Sequence, residues 1–424
     1  MSMGSMTRRG VLAGMAGAAL PLSGRTNAAT SPPRARSSGQ SADVLVIGAG
    51  VFGSWTAWQL LQSGKRVLLV DAWGPGHSRS SSGGESRMNR TGYGRDLVYT
   101  RLALESMQGW RWLSAAAETP LFLPHGVLFM SARMEPYMEQ TLQVHRELGI
   151  AIEELDRTAL QRRFPLLNTT GLEAAIYEPM SGPLMSRRAV QTLVRHFVAA
   201  GGEYRQAAIA TLEEDAAAAT VRTLAGETLH AEQIVFACGA WLPKLFPQLL
   251  GQRIFPTRQE AFFLSAPAGD PRYDAAHFPG WADFNDGDVY YGFPDLEGRG
   301  MKVARDEHGP PIDPDSGDRV ASANGLQDIR KFLQRRFPQL AERPLSETRV
   351  CQYENSSNGD FLIDRHPRWR NVCLVGAGSG HGFKHGPAVG RYAARLVNGQ
   401  LPDSELEPRF SLATKMQDQH RSVL

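Results

Sequence analysis

Val44-Leu45-Val46-Ile47-Gly48-Ala49-Gly50-Val51-Phe52-Gly53 is the stretch from which the rest of the chain can be read. A short apolar run ends in Gly-x-Gly-x-x-Gly, and an apolar helical pattern over 55–61 follows at once. The order predicts strand, tight turn and helix. Gly48 permits the turn, Gly50 lets backbone approach a pyrophosphate, and Gly53 lets the helix pack closely on the strand. The helix N-terminus then offers free N–H groups and partial positive charge to phosphates. A second strand over 66–70 ends in Asp71, whose carboxylate suits both hydroxyls of an adenosine ribose and disfavours a 2′-phosphate. A glycine-rich turn in an ordinary α/β domain would share the glycines, but not this ordered set of strands, helix and acid.

The segment before Asp43 is of another kind. Thr7-Arg8-Arg9-Gly10-Val11-Leu12 sets two arginines ahead of an apolar run that ends near Leu22, too short to span a bilayer. Gly14, Ala16, Gly17, Ala18 and Ala19 make that run mildly apolar, and Asn27-Ala28-Ala29 offers a cleavage site. A tail that merely contains Arg-Arg is the alternative reading. The expectation is a twin-arginine signal over 1–29 and a Pro-, Arg- and Ser-rich flexible linker over 30–42. Export by the twin-arginine machinery, to the periplasm or beyond, carries folded proteins and suits a protein that acquires its cofactor in the cytoplasm.

Composition fits a globular enzyme. The 424 residues, 42% hydrophobic and 21% charged, suffice for a large core and two domains. A net charge of +3, partly due to the leader and linker, gives no reason to expect nucleic acid, and no later stretch is apolar enough to cross a membrane. Cys238, Cys351 and Cys373 form no C-x-x-C pair and have no histidine cluster nearby, so neither a disulfide framework nor a metal site is expected.

Helical patterns over 102–116, 135–148 and 187–199 alternate with strands over 126–131 and 202–229. Gln233-Ile234-Val235-Phe236 reads as a parallel core strand returning to the nucleotide unit. Residues 289–294 and 300–303 read as antiparallel neighbours, 371–375 as a strand, 376–382 as a glycine-rich turn and 387–397 as a helix.

Together with Gly48 to Gly53, several ordered stretches carry a resemblance: Gly84-Glu85-Ser86-Arg87-Met88-Asn89-Arg90, Glu178-Pro179-Met180-Ser181-Gly182, Gly239-Ala240-Trp241, Tyr290-Tyr291-Gly292-Phe293-Pro294, Ile312-Asp313-Pro314-Asp315, Cys351, Ile363-Asp364-Arg365-His366-Pro367 and Gly380-His381-Gly382-Phe383-Lys384. From Asp43 to about Gly399 the chain resembles the monomeric sarcosine oxidase family of amine oxidases, within the D-amino-acid oxidase-like flavoproteins. The resemblance implies an α/β (α+β overall) fold: a Rossmann-like FAD-binding domain over 43–121, 184–254 and 351–424, with an inserted mixed or antiparallel-sheet substrate domain over 122–183 and 255–350. It implies FAD, and oxidation of a secondary or tertiary amine of an amino acid to an imine.

By the same resemblance Cys351 forms a thioether to the flavin 8α-methyl group, Arg87 lies against the flavin, and Lys302 activates O₂. Arg90 and Lys384 clamp the substrate carboxylate, Tyr291 sits over the substrate, and Gly380, His381, Gly382 and Phe383 approach the flavin. Unaided, the residues read more blandly: Cys351 as a small buried hydrophobe, Lys302 as a solvated strand-end lysine, and Arg79, Arg87, Arg90 and Arg95 as a basic surface. Two departures stand out. Many members carry histidines where this chain has Gly83 and Asp306, which points to altered pocket volume and charge and to larger N-alkyl or cyclic amino acids. The expected reaction converts a secondary amino acid and O₂ to imine and H₂O₂. A dehydrogenase serving a quinone or carrier, and a flavin-bearing tailoring or binding protein, are the alternatives.

Overall fold

The expected strand forms because every residue from Val44 to Ile47 is buried, and a run buried on both faces satisfies its backbone only between other strands. The computed structural model describes residues 42–418, except 218, 285–286 and 401–402. The expected export signal and all of the linker but its last residue lie outside the described residues. Strand Ala42–Ile47 is fourth in a six-stranded sheet of order Leu362–Arg365, Val372–Gly376, Ala231–Phe236, Ala42–Ile47, Val67–Asp71, Glu203–Gln206. All neighbours run parallel except the edge pair Leu362–Arg365 and Val372–Gly376. Val51–Gln62, Ser186–Ala199 and Gly386–Val397 cover one face, packed around Trp55, Leu193 and Val389. Phe246, Leu250 and Trp369 cover the other against Leu45, Ile47 and Phe236. This is the doubly covered, Rossmann-like sheet that the glycine motif demands.

A second sheet has eight strands in the order Leu345–Ser356, Ile254–Leu264, Met301–Asp306, Val289–Asp295, Gly280–Asp283, Val127–Ser131, Ala174–Glu178, Glu153–Leu155. It is antiparallel except where Gly280–Asp283 meets Val127–Ser131. Val289–Asp295 and Met301–Asp306 are antiparallel neighbours, as their sequences imply. Phe293 pairs with Lys302, Tyr291 with Ala304 and Val289 with Asp306, while Gln259 pairs with Cys351 and Thr257 with Tyr353. Directly opposed residues share a face and alternate residues along a strand return to it, so Tyr291, Lys302, Asp306, Cys351 and Tyr353 lie on one face. The other face carries Phe262, Tyr290 and Val303, packed under helix Ala323–Arg336 through Phe332 and Leu333.

The boundary drawn at residue 351 falls inside strand Leu345–Ser356, which stays in the second sheet through Ser356. Alternating polar and charged residues, Ser346-Glu347-Thr348-Arg349 and Gln352-Tyr353-Glu354-Asn355, hide that strand from an apolar-run search. No helix among the described residues is long and apolar enough to cross a membrane.

Candidate active site

A cleft of about 340 Å³ opens at the carboxyl ends of the parallel strands, lined by Ile47, Gly48, Asp71, Ala237 and Val375. Gly48 has φ +103°, and a Cβ there would stand 2.3 Å from the Ala237 carbonyl oxygen. A Cβ on Gly53 would stand 1.8 Å from the Gly48 carbonyl oxygen, so strand, turn and helix meet at backbone distance. Gly50 faces the cleft. Ser82 Oγ accepts from the Val51 N–H at 3.0 Å and so holds a donor at the helix start. Asp71 accepts from Ala49 N–H at 2.7 Å on one oxygen and from Trp73 and Gly74 N–H at 2.9 and 2.8 Å on the other. It ties the glycine turn to the following loop, and a carboxylate's four lone-pair sites leave it able to accept once more.

Ser81 Oγ and Glu354 Oε2 are buried without a partner, and both residues line the cleft. Burial pushes the Glu354 carboxyl up to about 7. Orphaned polar atoms beside a glycine cradle call for a ligand with many hydrogen-bonding groups, which a dinucleotide is.

At one end of the cleft Arg87 gathers three elements. Its Nη2 donates to the Ser81 carbonyl at 2.6 Å and to Cys351 Sγ at 3.2 Å, and its Nη1 to the Ser86 carbonyl at 2.8 Å. Lys302 Nζ donates to the same Ser86 carbonyl at 3.0 Å, and lies 5.3 Å from the Phe293 ring and 6.0 Å from that of Tyr291. Lys302 is 4% exposed; burial, and then the Arg87 charge, pull its ammonium down to about 7. The three cysteines are not equivalent. Burial pushes the thiols of Cys238 and Cys373 up, the latter to about 11, whereas Cys351 has a guanidinium against its sulfur.

Arg90 and Lys384 converge on Tyr93. The Arg90 guanidinium lies 4.4 Å, and the Lys384 ammonium 5.1 Å, from the Tyr93 ring centre. Lys384 Nζ donates to the Tyr93 hydroxyl at 2.8 Å and to the His381 carbonyl at 3.0 Å. The same hydroxyl meets His385 Nε2 at 2.7 Å and His381 Nδ1 at 3.1 Å. Arg90 also donates to the Gly92 carbonyl and, at 2.9 Å, to the Tyr137 hydroxyl. Trp110 fixes the turn by donating Nε1–H to the Lys384 carbonyl at 2.7 Å, with Phe383 stacked on its ring.

Of the residues named from sequence, Gly48, Gly50, Asp71, Arg87, Gly380, Gly382 and Phe383 line the cleft. Cys351 and Lys302 join it through Arg87 and Ser86, Tyr291 stands beside Lys302, and Arg90, Lys384 and His381 gather on Tyr93. Gly53 stands behind the wall. Gly83 does not enlarge the pocket, because its Cβ position is filled by the His77 carbonyl oxygen at 1.9 Å. Tyr93, Tyr353 and Glu354 were not named from sequence, although Tyr353 could be found by strand alternation from Cys351.

The description "FAD dependent oxidoreductase" belongs to the family model that matches residues 43–396 of this chain. The chain is a member of this family. It is 30% identical over 360 residues to monomeric sarcosine oxidase of Bacillus sp. (strain B-0618), spanning 84% of this chain and 92% of that one. It is 30% identical over 371 residues to N-methyl-L-tryptophan oxidase of Citrobacter koseri, spanning 86% and 97%. In fold it is similar to an amino acid oxidase essential for nikkomycin biosynthesis, with TM-score 0.73 at 24% identity over 88% of this chain and 97% of that one. It is likewise similar to L-proline dehydrogenase of P. horikoshii, with TM-score 0.74 at 18% identity over 85% and 95%. The resemblance and the α/β fold class expected from sequence hold. FAD, the family's cofactor, fits the cleft: the glycine turn and helix start for phosphates, Asp71 for a ribose, and Ser81 and Glu354 as polar atoms awaiting partners.

Proposed function

We propose that this FAD-dependent oxidoreductase oxidises a secondary amino acid, N-methylated or cyclic, to an imine that then hydrolyses, with O₂ reduced to H₂O₂. The observation that carries this reading is the convergence of Arg90 and Lys384 on Tyr93. A guanidinium fork beside an ammonium point charge matches a carboxylate, and in this position they would hold the amino acid by its acid group. The names of the two relatives point to the same N-methyl amino acid class.

FAD, when bound, supplies the two-electron acceptor. Arg90 and Lys384 bind and orient the substrate, and Tyr291 bounds the space beside Lys302. Lys302 offers a fixed cation where negative charge develops as O₂ is reduced, and this favours an oxidase over a dehydrogenase serving a quinone or carrier. Cys351 would anchor the flavin 8α-methyl group through a thioether, and the guanidinium at its sulfur supports that role. Residues 380–384 would bring backbone donors and a cation near the flavin. Asp306 adds negative charge where many relatives have histidine, which favours a substrate other than sarcosine. Twin-arginine export, read from Arg8 and Arg9, belongs to the same proposal.

Peroxide formation is the test, with sarcosine, N-methyl-L-tryptophan, the prolines and pipecolate as substrates. Peroxide from any of them, reduced at least tenfold in Arg90→Ala, supports the reading. Flavin reduction with quinone turnover and no peroxide would favour the dehydrogenase. No reduction by any of them would overturn the proposal.

A further inference from the structure

Glu178, which opens the stretch Glu178-Pro179-Met180-Ser181-Gly182, has no part in the proposed function, yet it is a carboxylate only 1% exposed. Its Oε2 accepts from the Thr91 N–H at 2.8 Å, the Thr91 hydroxyl at 3.0 Å and the Ser181 hydroxyl at 2.6 Å, and its Oε1 accepts from the Gly92 N–H at 2.9 Å. A carboxylate has about four lone-pair sites, so this one is saturated. Thr91 and Gly92 are the two residues that follow Arg90. A Cβ on Gly92 would stand 2.6 Å from Glu178 Oε1, so the glycine is what lets this backbone reach the acid.

The consequence falls on the arginine. The Gly92 carbonyl accepts from Arg90 Nη1 and, at 2.6 Å, from the Tyr137 hydroxyl, and Arg90 Nη1 donates its other hydrogen to the Tyr137 oxygen at 2.9 Å. One corner of the guanidinium is therefore pinned to a turn that Glu178 holds. Nε and Nη2 of Arg90 have no hydrogen-bond partner among the described residues. Together they form the guanidinium edge that a carboxylate meets bidentately. The Glu178 charge reaches Arg90, but with its lone pairs occupied the acid does not compete for that edge.

We propose that Glu178 is a positioning residue for recognition of the substrate carboxylate. From the end of strand Ala174–Glu178 it fixes the turn at Thr91 and Gly92, and through the Gly92 carbonyl it sets Arg90 with its Nε–Nη2 edge free for the substrate. The inference rests on the proposed function, in which Arg90 holds the amino acid by its acid group. Two effects oppose each other when Glu178 is altered. Releasing the turn weakens carboxylate binding, whereas removing a buried negative charge near the guanidinium strengthens it. The first prevails, because four buried donors lose their acceptor while the charge they surround is already largely compensated.

The test is anaerobic stopped-flow reduction of the flavin by whichever of sarcosine, N-methyl-L-tryptophan, proline and pipecolate the wild type oxidises best. Rate against concentration gives Kd and a limiting rate for the wild type, Glu178→Asp, Glu178→Gln, Arg90→Ala and the two double variants. Glu178→Asp keeps the charge but withdraws the carboxylate by one methylene; Glu178→Gln keeps the length but turns an NH₂ group toward a donor. Each should raise Kd about tenfold and change the limiting rate less than about twofold, and each should raise by the same factor the Ki of propanoate, an acid with no amine. In the Arg90→Ala background neither should change Kd by more than about twofold, because an effect carried through Arg90 disappears with it. General damage to the site would instead add to the Arg90→Ala effect. Visible spectra read before mixing establish flavin content; if both Glu178 variants lose flavin, Ser181→Ala, which removes one of the four donors, carries the test with a rise in Kd of about threefold that is again absent without Arg90. A Kd unchanged or lowered, or a Glu178 effect undiminished in Arg90→Ala, would overturn the inference and leave the proposed function standing. Failure of every secondary amino acid to reduce the wild-type flavin would overturn both.

Discussion

Replacing Lys302 by Met separates what the lysine costs the fold from what it gives the reaction. The side chain is 4% exposed and its ammonium is drawn from 10.5 down to about 7, first by burial and then by Arg87. At about 1.4 kcal/mol per pH unit, keeping this group charged in the folded protein costs about 5 kcal/mol. The unfolded chain holds more protons than the folded one between pH 7 and 10.5, so wild-type stability rises with pH across that window. The full penalty applies below about pH 7, and about 2 kcal/mol of it remains at pH 9. Lys302→Met removes the penalty and one of the two hydrogen bonds to the Ser86 carbonyl, which keeps Arg87 as its donor, at a cost of about 1 kcal/mol that does not depend on pH. Guanidinium unfolding should therefore show the variant gaining on the wild type by about 3 kcal/mol more at pH 6 than at pH 9. Its reduced flavin should meanwhile reoxidise in air about 10²–10³-fold more slowly, because a preorganised charge is gone. Equal stability changes at both pH values, or unchanged reoxidation, would refute the reasoning.

Glu354→Gln should show the opposite pH trend: the carboxyl is raised from 4.5 to about 7, so the folded wild type loses stability as pH rises through that window. The variant should gain about 3 kcal/mol at pH 8 and almost nothing at pH 4.5 in the same unfolding assay. Arg90→Ala should raise KM for the best amino acid about 10- to 150-fold, the worth of one charged hydrogen bond, with a smaller effect on kcat. Gly53→Val drives a side chain into the Gly48 carbonyl, so it should abolish flavin retention in the purified protein, read from its visible spectrum. Cys351→Ala should release yellow colour into the supernatant after acid precipitation, whereas wild-type colour should stay with the pellet.

The nucleotide half of the fold was legible because its central strands are buried on both faces. An uninterrupted apolar run ending in glycines has few other meanings, and both Val44 to Ile47 and Ile234 to Phe236 sit where that reading puts them. The second sheet was harder. Leu345–Ser356 bears polar residues on the face that builds the site, so its alternation carries little apolar contrast. Residues tied to the glycine motif or to the resemblance could be named one by one. Tyr93 could not, since its role as the meeting point of Arg90, Lys384, His381 and His385 comes from elements far apart in the chain. Gly83 shows the converse, where a missing side chain read as added space is instead a close backbone contact with His77.

Anaerobic titration of the purified yellow protein with N-methyl-L-tryptophan, sarcosine and proline, followed by admission of air, tests the central claim most directly. The account predicts that at least one of them bleaches the flavin absorbance in stoichiometric proportion, and that air restores the colour with one H₂O₂ per flavin. A flavin that stays oxidised in the presence of every secondary amino acid tried would contradict it.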